Sequence, residues 1–191
     1  MRNRFLLGLL LAVALLAGSA LAGAAAGAPG AAAPPAAPAA AAAPAAPAAG
    51  ATSPAFDHIK ALSGNWLARS ADGKVTRVSY DVYAGGSAVV EKLAPEGEPP
   101  MVTVYYPDGS QVMLTHYCTL ANQPRMRTTQ AGSGNTLDFA FVDATNMKSP
   151  NDPHMDRVKL TFGDADHFSQ EWTMKKDGQE MPLTMRFERT K

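Results

Sequence analysis

The sequence predicts an all-β fold, a roughly ten-stranded antiparallel up-and-down barrel with a short N-terminal helix. Three observations predict it. From about residue 66 to the C-terminus, apolar and polar side chains alternate with period two. Turn signals break that alternation at short intervals: Asp72-Gly73, Gly85-Gly86, Asp108-Gly109, Gly132-Ser133-Gly134, Asp164-Ala165-Asp166 and Asp177-Gly178. The connections they leave are of hairpin length, which favours a meander closed into a barrel over a sandwich.

The chain opens with the marks of a secretory signal peptide. Arg2 and Arg4 form a positive start, Phe5 to Leu16 an apolar run, and Ala20-Leu21-Ala22 a small–x–small cleavage site. Residues 1–22 are therefore read as a signal peptide, and the mature protein as periplasmic or secreted. Residues 23–54 contain 19 Ala, 7 Pro and 4 Gly and no charged side chain. Side chains so small, interrupted so often by proline, build no core, and this stretch reads as a disordered linker. The folded block is residues 55–191, large enough to bury a core. Its single cysteine, Cys118, leaves no intrachain disulfide, so packing alone must hold it.

Ser53-Pro54 reads as an N-cap followed by proline at the first helical position. Phe56, Ile59 and Leu62 recur at helical spacing and Ser63-Gly64 ends the turn, which predicts a helix over 55–62. Strands follow near 66–71, 75–83, 87–93, 101–107, 111–118, 124–130, 136–143, 154–163, 167–175 and 181–189. Period two then assigns inward faces. The last strand turns in Met181, Leu183, Met185 and Phe187, and the ninth Phe168, Gln170, Trp172 and Met174. The seventh turns in Leu137, Phe139 and Phe141. In the eighth, Val158, Leu160 and Phe162 set a face that extends back to Asp156 and His154. In the fifth, Val112 and Leu114 carry His116 and Cys118 inward with them. Polar groups on inward positions need partners, which makes them the informative residues.

Composition excludes several functions. The formal charge is 17 basic against 17 acidic residues, and loss of Arg2 and Arg4 leaves 15 against 17. That balance offers no footprint for nucleic acid and no polybasic patch for stable membrane association. Walker, CxxC-pair, HExxH, G-x-S-x-G and EF-hand patterns are all absent. His116, Cys118 and His154 supply metal-ligating atoms, but no local spacing enforces a metal site, so no metal or cofactor is expected. His116 and Cys118, two apart on one strand, stand roughly 6–7 Å from each other, too far for a direct cysteine–histidine hydrogen bond.

The densest polar segments are Thr115-His116-Tyr117-Cys118, Asn122-Gln123-Pro124-Arg125-Met126 and Asp143-Ala144-Thr145-Asn146, with His154 beyond them. On a barrel, strand ends and their loops converge on one mouth. Gly64-Asn65-Trp66 opening the first strand, together with an arginine closing the last, resembles the lipocalin/calycin arrangement. That resemblance implies that Arg189, or alternatively Arg186, packs across Trp66 and closes the barrel. The block 55–191 is also similar to exported bacterial lipocalin-like proteins of unknown function, which carry comparable polar segments. No lipocalin disulfide is present, and no lipocalin ligand is carried over.

The expected function is an exported binding module for a small, largely apolar or amphipathic ligand held inside the barrel. Phe139, Phe141, Trp172 and Met174 would form the apolar wall. His116, Arg125, Asn146 and His154 would orient a polar head group, with Arg125 suited to a carboxylate. One alternative is a barrel enzyme, an isomerase or hydrolase with His116 or His154 as base. Another is a structural envelope protein whose barrel is filled.

Overall fold

A computed structural model of the chain describes residues 53–130 and 134–191. The expected signal peptide, and the expected linker up to residue 52, lie outside the described residues. Helix α1 spans Pro54–Ala61 and buries Ala55, Phe56 and Ile59. Ser53 caps it differently from the expected side-chain cap. Its carbonyl accepts from the backbone N–H groups of Phe56 (2.8 Å) and Asp57 (3.0 Å). Its hydroxyl instead donates to the Ser110 carbonyl at 3.0 Å, tying the helix to the turn that covers one barrel end.

Ten strands follow: β1 (Gly64–Arg69), β2 (Val75–Tyr83), β3 (Ala88–Pro95), β4 (Met101–Asp108), β5 (Gln111–Tyr117), β6 (Gln123–Thr128), β7 (Thr136–Thr145), β8 (His154–Asp164), β9 (His167–Lys176) and β10 (Gln179–Arg189). Each pairs antiparallel with its chain neighbours, and β1 pairs with β10 to close the barrel. The all-β barrel with a short leading helix is thus the observed fold, and each expected strand is present.

Closure uses Trp66 and Arg189, the pair that the resemblance implied, and not the alternative Arg186. Trp66 and Arg189 are register partners, and the guanidinium carbon lies 4.0 Å from the indole centroid. Arg189 also donates to the carbonyls of Ala165 (2.9 Å) and Ser63 (2.8 Å), while the indole N–H donates to the Leu62 carbonyl at 2.7 Å. Gly64 has φ +122°, and a Cβ there would stand 2.9 Å from Nη1 of Arg189. Glycine two residues before the tryptophan therefore serves backbone conformation and close approach together.

The seam is short. β1 meets β10 only at Trp66↔Arg189, Leu67↔Glu188 and Ala68↔Phe187, whereas β10 pairs with β9 from Gln179 to Glu188. Beyond Ala68 the two strands part, and the wall opens at the end away from α1. Met181 and Leu183 hold their inward parity there yet stay 39% and 59% exposed. Near α1 the interior is filled, with Phe168 packed on Phe187 at 4.9 Å and edge-on to Trp66 at 4.7 Å.

Three register shifts interrupt the ladders, one at Gly163 near the end of β8 and two that bear on the expected site. Pairing of β8 with β9 steps from Met155↔Met174 to Arg157↔Thr173, leaving Asp156 without a partner. One extra residue reverses parity. Met155, not the expected Asp156 and His154, thereby continues the face of Val158. Pairing of β6 with β7 steps from Arg125↔Asp143 to Met126↔Phe141 in the same way.

Candidate functional site

Alternation on the middle strands carries polar side chains into the barrel. On β3, Glu91 lies between inward Val89 and Leu93, and all three are buried. Register brings Tyr80 of β2 and Thr103 of β4 directly beside it. The Glu91 carboxylate accepts at Oε2 from the Tyr80 hydroxyl (2.7 Å), the Tyr105 hydroxyl (2.8 Å) and the Gln170 amide (2.9 Å). Its other oxygen, Oε1, accepts from the Thr103 hydroxyl at 3.4 Å. The amide oxygen of Gln170 accepts from the Trp172 indole at 3.0 Å. Burial pushes the Glu91 carboxyl up against the lowering effect of these donors, and burial beside Glu91 holds both tyrosines protonated, well above their ordinary value.

His116 of β5 ends the network. Its Nδ1 lies 2.9 Å from Thr103 Oγ1 and its ring packs on Trp172 at 4.6 Å. Only 1% of the residue is exposed, and Nε2 has no hydrogen-bond partner. Burial lowers its pKa to about 4, so the imidazole is neutral at neutral pH.

His116 is among the residues that line a cavity of about 530 Å³ in the open half of the barrel. Leu93, Met101, Met155, Trp172, Leu183 and Met185 give it apolar walls. Its mouth carries Arg69, Lys74 and Arg186 together with Asp72, Glu96 and Glu98. The seam between Ala68–Arg69 and Leu183–Arg186 forms one side of the opening. A second cleft, of about 360 Å³, lies beside α1 and is lined by His58, Phe162, His167 and Arg189. There the polar groups are engaged: His167 with Asp164 at 2.8 Å and Arg189 with backbone carbonyls.

The structure separates the residues that the sequence grouped. His116 and Trp172 border the cavity. Met174 stands beside Met155 and Met181 in register, next to the wall. Phe139 is buried in the filled core, edge-on to Tyr105 at 5.9 Å. Arg125 lies on the outside, paired through Nε with Asp143 at 2.6 Å, and the pair is about half exposed. Alternation along β6 places it there, because Pro124, Met126 and Thr128 take the buried face. Asn146, at φ +60°, donates its amide to the Ala121 carbonyl, fastening one loop to another. His154 is buried against Phe141 at 4.7 Å, and its Nδ1 donates to the Asp152 carbonyl at 2.7 Å. The Asn122 amide donates to the Pro153 carbonyl at 2.8 Å. These last groups seal the loops beside the mouth and do not face the cavity.

Glu91, Thr103, Tyr80 and Tyr105 were missed by the sequence reading. Their signal was present: an acidic residue at an inward position between Val89 and Leu93, with hydroxyl-bearing residues on the inward faces of the strands to either side.

No protein-family model matches the chain, and no curated protein sequence does. Solved structures similar at low identity include the following two. Rv2717c from M. tuberculosis aligns with a TM-score of 0.49 and 14% identity over 72% of this chain and 98% of its own. A protein of unknown function of the DUF3598 family from Nostoc punctiforme PCC 73102 aligns with a TM-score of 0.45 and 15% identity, over 69% of this chain and 49% of its own. With both TM-scores below 0.5, the assignment of the cavity rests on its own geometry.

Proposed function

We propose that this chain is an exported binding module, periplasmic or secreted, that holds a small, largely apolar or amphipathic ligand in the open half of its barrel. One observation carries the reading: His116, whose buried Nε2 has no hydrogen-bond partner, lines a cavity with apolar inner walls. Leaving such a group unsatisfied costs roughly 1–3 kcal/mol, a cost that a bound polar atom removes. The exposed Leu183, which lines this cavity, supports it, because an apolar ligand would cover it. An amphipathic ligand would set a polar atom of its inner end against His116 and its apolar body among Leu93, Met101, Met155 and Met185, with any charged group at the rim. The depressed pKa of His116 favours this reading over the barrel enzyme, since so weak a base accepts hydrogen bonds but holds few protons at neutral pH.

A fluorescent fatty-acid-like probe tests it. The expected result is binding near one equivalent with a change in tryptophan emission that is lost in Trp172→Phe. Leu183→Glu, at an exposed position, is expected to leave the fold intact and abolish binding. A wild-type protein that binds no amphipathic probe, and whose native mass after purification from its own compartment shows no adduct, would overturn the reading in favour of a structural barrel.

A further inference from the structure

The polar network sets what His116 offers to the cavity. Oε2 of Glu91 already receives three donors, from Tyr80, Tyr105 and Gln170. Oε1 has one neighbour, the Thr103 hydroxyl. An ionised Glu91 is acceptor-only, so it requires that hydroxyl to donate to Oε1. A hydroxyl has one proton. Having given it to Glu91, Thr103 is left with lone pairs for its 2.9 Å contact with Nδ1 of His116. Nδ1 must then carry the proton, and the neutral ring presents a bare lone pair at Nε2. Protonation of Glu91 would reverse each step: its proton on Oε1 would point at Thr103, whose hydroxyl would in turn donate a hydrogen bond to a bare Nδ1, so that the ring proton sits on Nε2. The three donors converging on Oε2 match the ionised form.

We propose that Glu91, acting through Thr103, fixes His116 as the Nδ1–H tautomer, so that the cavity selects ligands whose inner end is a hydrogen-bond donor, an alcohol or phenol, over those ending in an acceptor alone, an ether or ester. Glu91 and Thr103 are positioning residues, and Nε2 of His116 is the atom that touches the ligand. The inference rests on the binding reading above and deepens it by naming the ligand's inner group.

The test compares 1-decanol with decyl methyl ether as competitors of the fluorescent probe, and reads the His116 tautomer by long-range ¹⁵N–¹H NMR. In the wild type the alcohol should bind about tenfold tighter, the worth of one buried hydrogen bond of about 1.4 kcal/mol, and NMR should place the proton on Nδ1. In Glu91→Gln the amide oxygen can take the three donors while its N–H₂ donates to Thr103. The tautomer should then move to Nε2–H and the tenfold preference should vanish. Thr103→Val, which cuts the link while leaving Glu91, should also lose the preference. Equal wild-type affinity for alcohol and ether, or an Nε2–H proton in the wild type, overturns the inference and leaves the binding reading standing. Failure of the alcohol, the ether and the probe alike to bind overturns both.

Discussion

His116 is held between two opposing demands: a network that fixes one ring nitrogen and a cavity that leaves the other free. Its protonation links to stability with a definite sign. The folded pKa of about 4 lies below the ordinary 6.5, so between these values the unfolded chain carries a proton that the folded chain lacks. Acidification from pH 6.5 to 4 therefore removes stability, by up to roughly 3 kcal/mol at the lower end. Glu91 works the other way: burial raises its pKa, so falling pH through its folded value relieves the fold of a buried charge. The two overlap, and a variant separates them. Measured by urea unfolding at several pH values, the stability of the wild type relative to His116→Phe should fall as pH drops from 7 to 4. A pH-independent difference would show that the imidazole is not desolvated. Arg125 makes the opposite case at the same scale. Its guanidinium is spent on Asp143 outside the barrel, which raises its own pKa and lowers that of the carboxyl. Arg125→Ala should leave probe affinity unchanged, carboxylate-bearing probes included; a selective loss for those probes would bring Arg125 back to the ligand.

Strand pairing decides how the barrel closes and where it does not. The β1–β10 seam holds through three residue pairs, reinforced by the Trp66–Arg189 contact at 4.0 Å. A cation–π contact of this kind contributes about 0.5–2 kcal/mol. Arg189→Ala should destabilise the fold by at least that order, since it also frees the Ser63 and Ala165 carbonyls. Combined with Trp66→Ala, the loss should be less than additive in thermal or denaturant unfolding. Strict additivity would mean that the side chains do not interact in solution. The same seam ends at Ala68, so β10 from Gln179 to Arg186 has β9 on one side and the cavity opening on the other. A short seam thus supplies both closure near α1 and access at the far end.

Across the whole molecule the two barrel ends differ in kind. One is plugged by α1 and packed with Trp66, Phe168 and Phe187; the other is open, apolar within and charged at its rim. Such a module acts on a ligand outside the cytoplasm only if it is exported, and the leader residues predict how. Intact-mass measurement of the mature protein should give a chain beginning at Gly23. A membrane-associated product retaining residues 1–22 would show that the leader is an anchor.

The sequence by itself determined the barrel, that is, ten strands, their order and the helix before them; the Trp66–Arg189 closure came only from the lipocalin resemblance, with Arg186 as the alternative. The strands and the helix follow from local signals, because side-chain direction has period two, turn residues mark strand ends, and a meander brings consecutive strands together. It also placed His116 and Trp172 inside, since no irregularity separates them from the apolar residues that set their faces. The tertiary structure decided which polar residues meet. A bulge adds one residue without altering composition, so periodicity read from Val158 could not reveal that Met155 would replace His154 at the wall. Arg125 was legible as an outward residue, since it alternates with Pro124, Met126 and Thr128 on β6, and grouping it with the pocket overlooked that parity. The Glu91–Thr103–His116 chain spans three strands, and its donor and acceptor pattern arises only from their register. Where β1 and β10 part is likewise set by how ten twisted strands close around a filled end, and that decision opens the cavity.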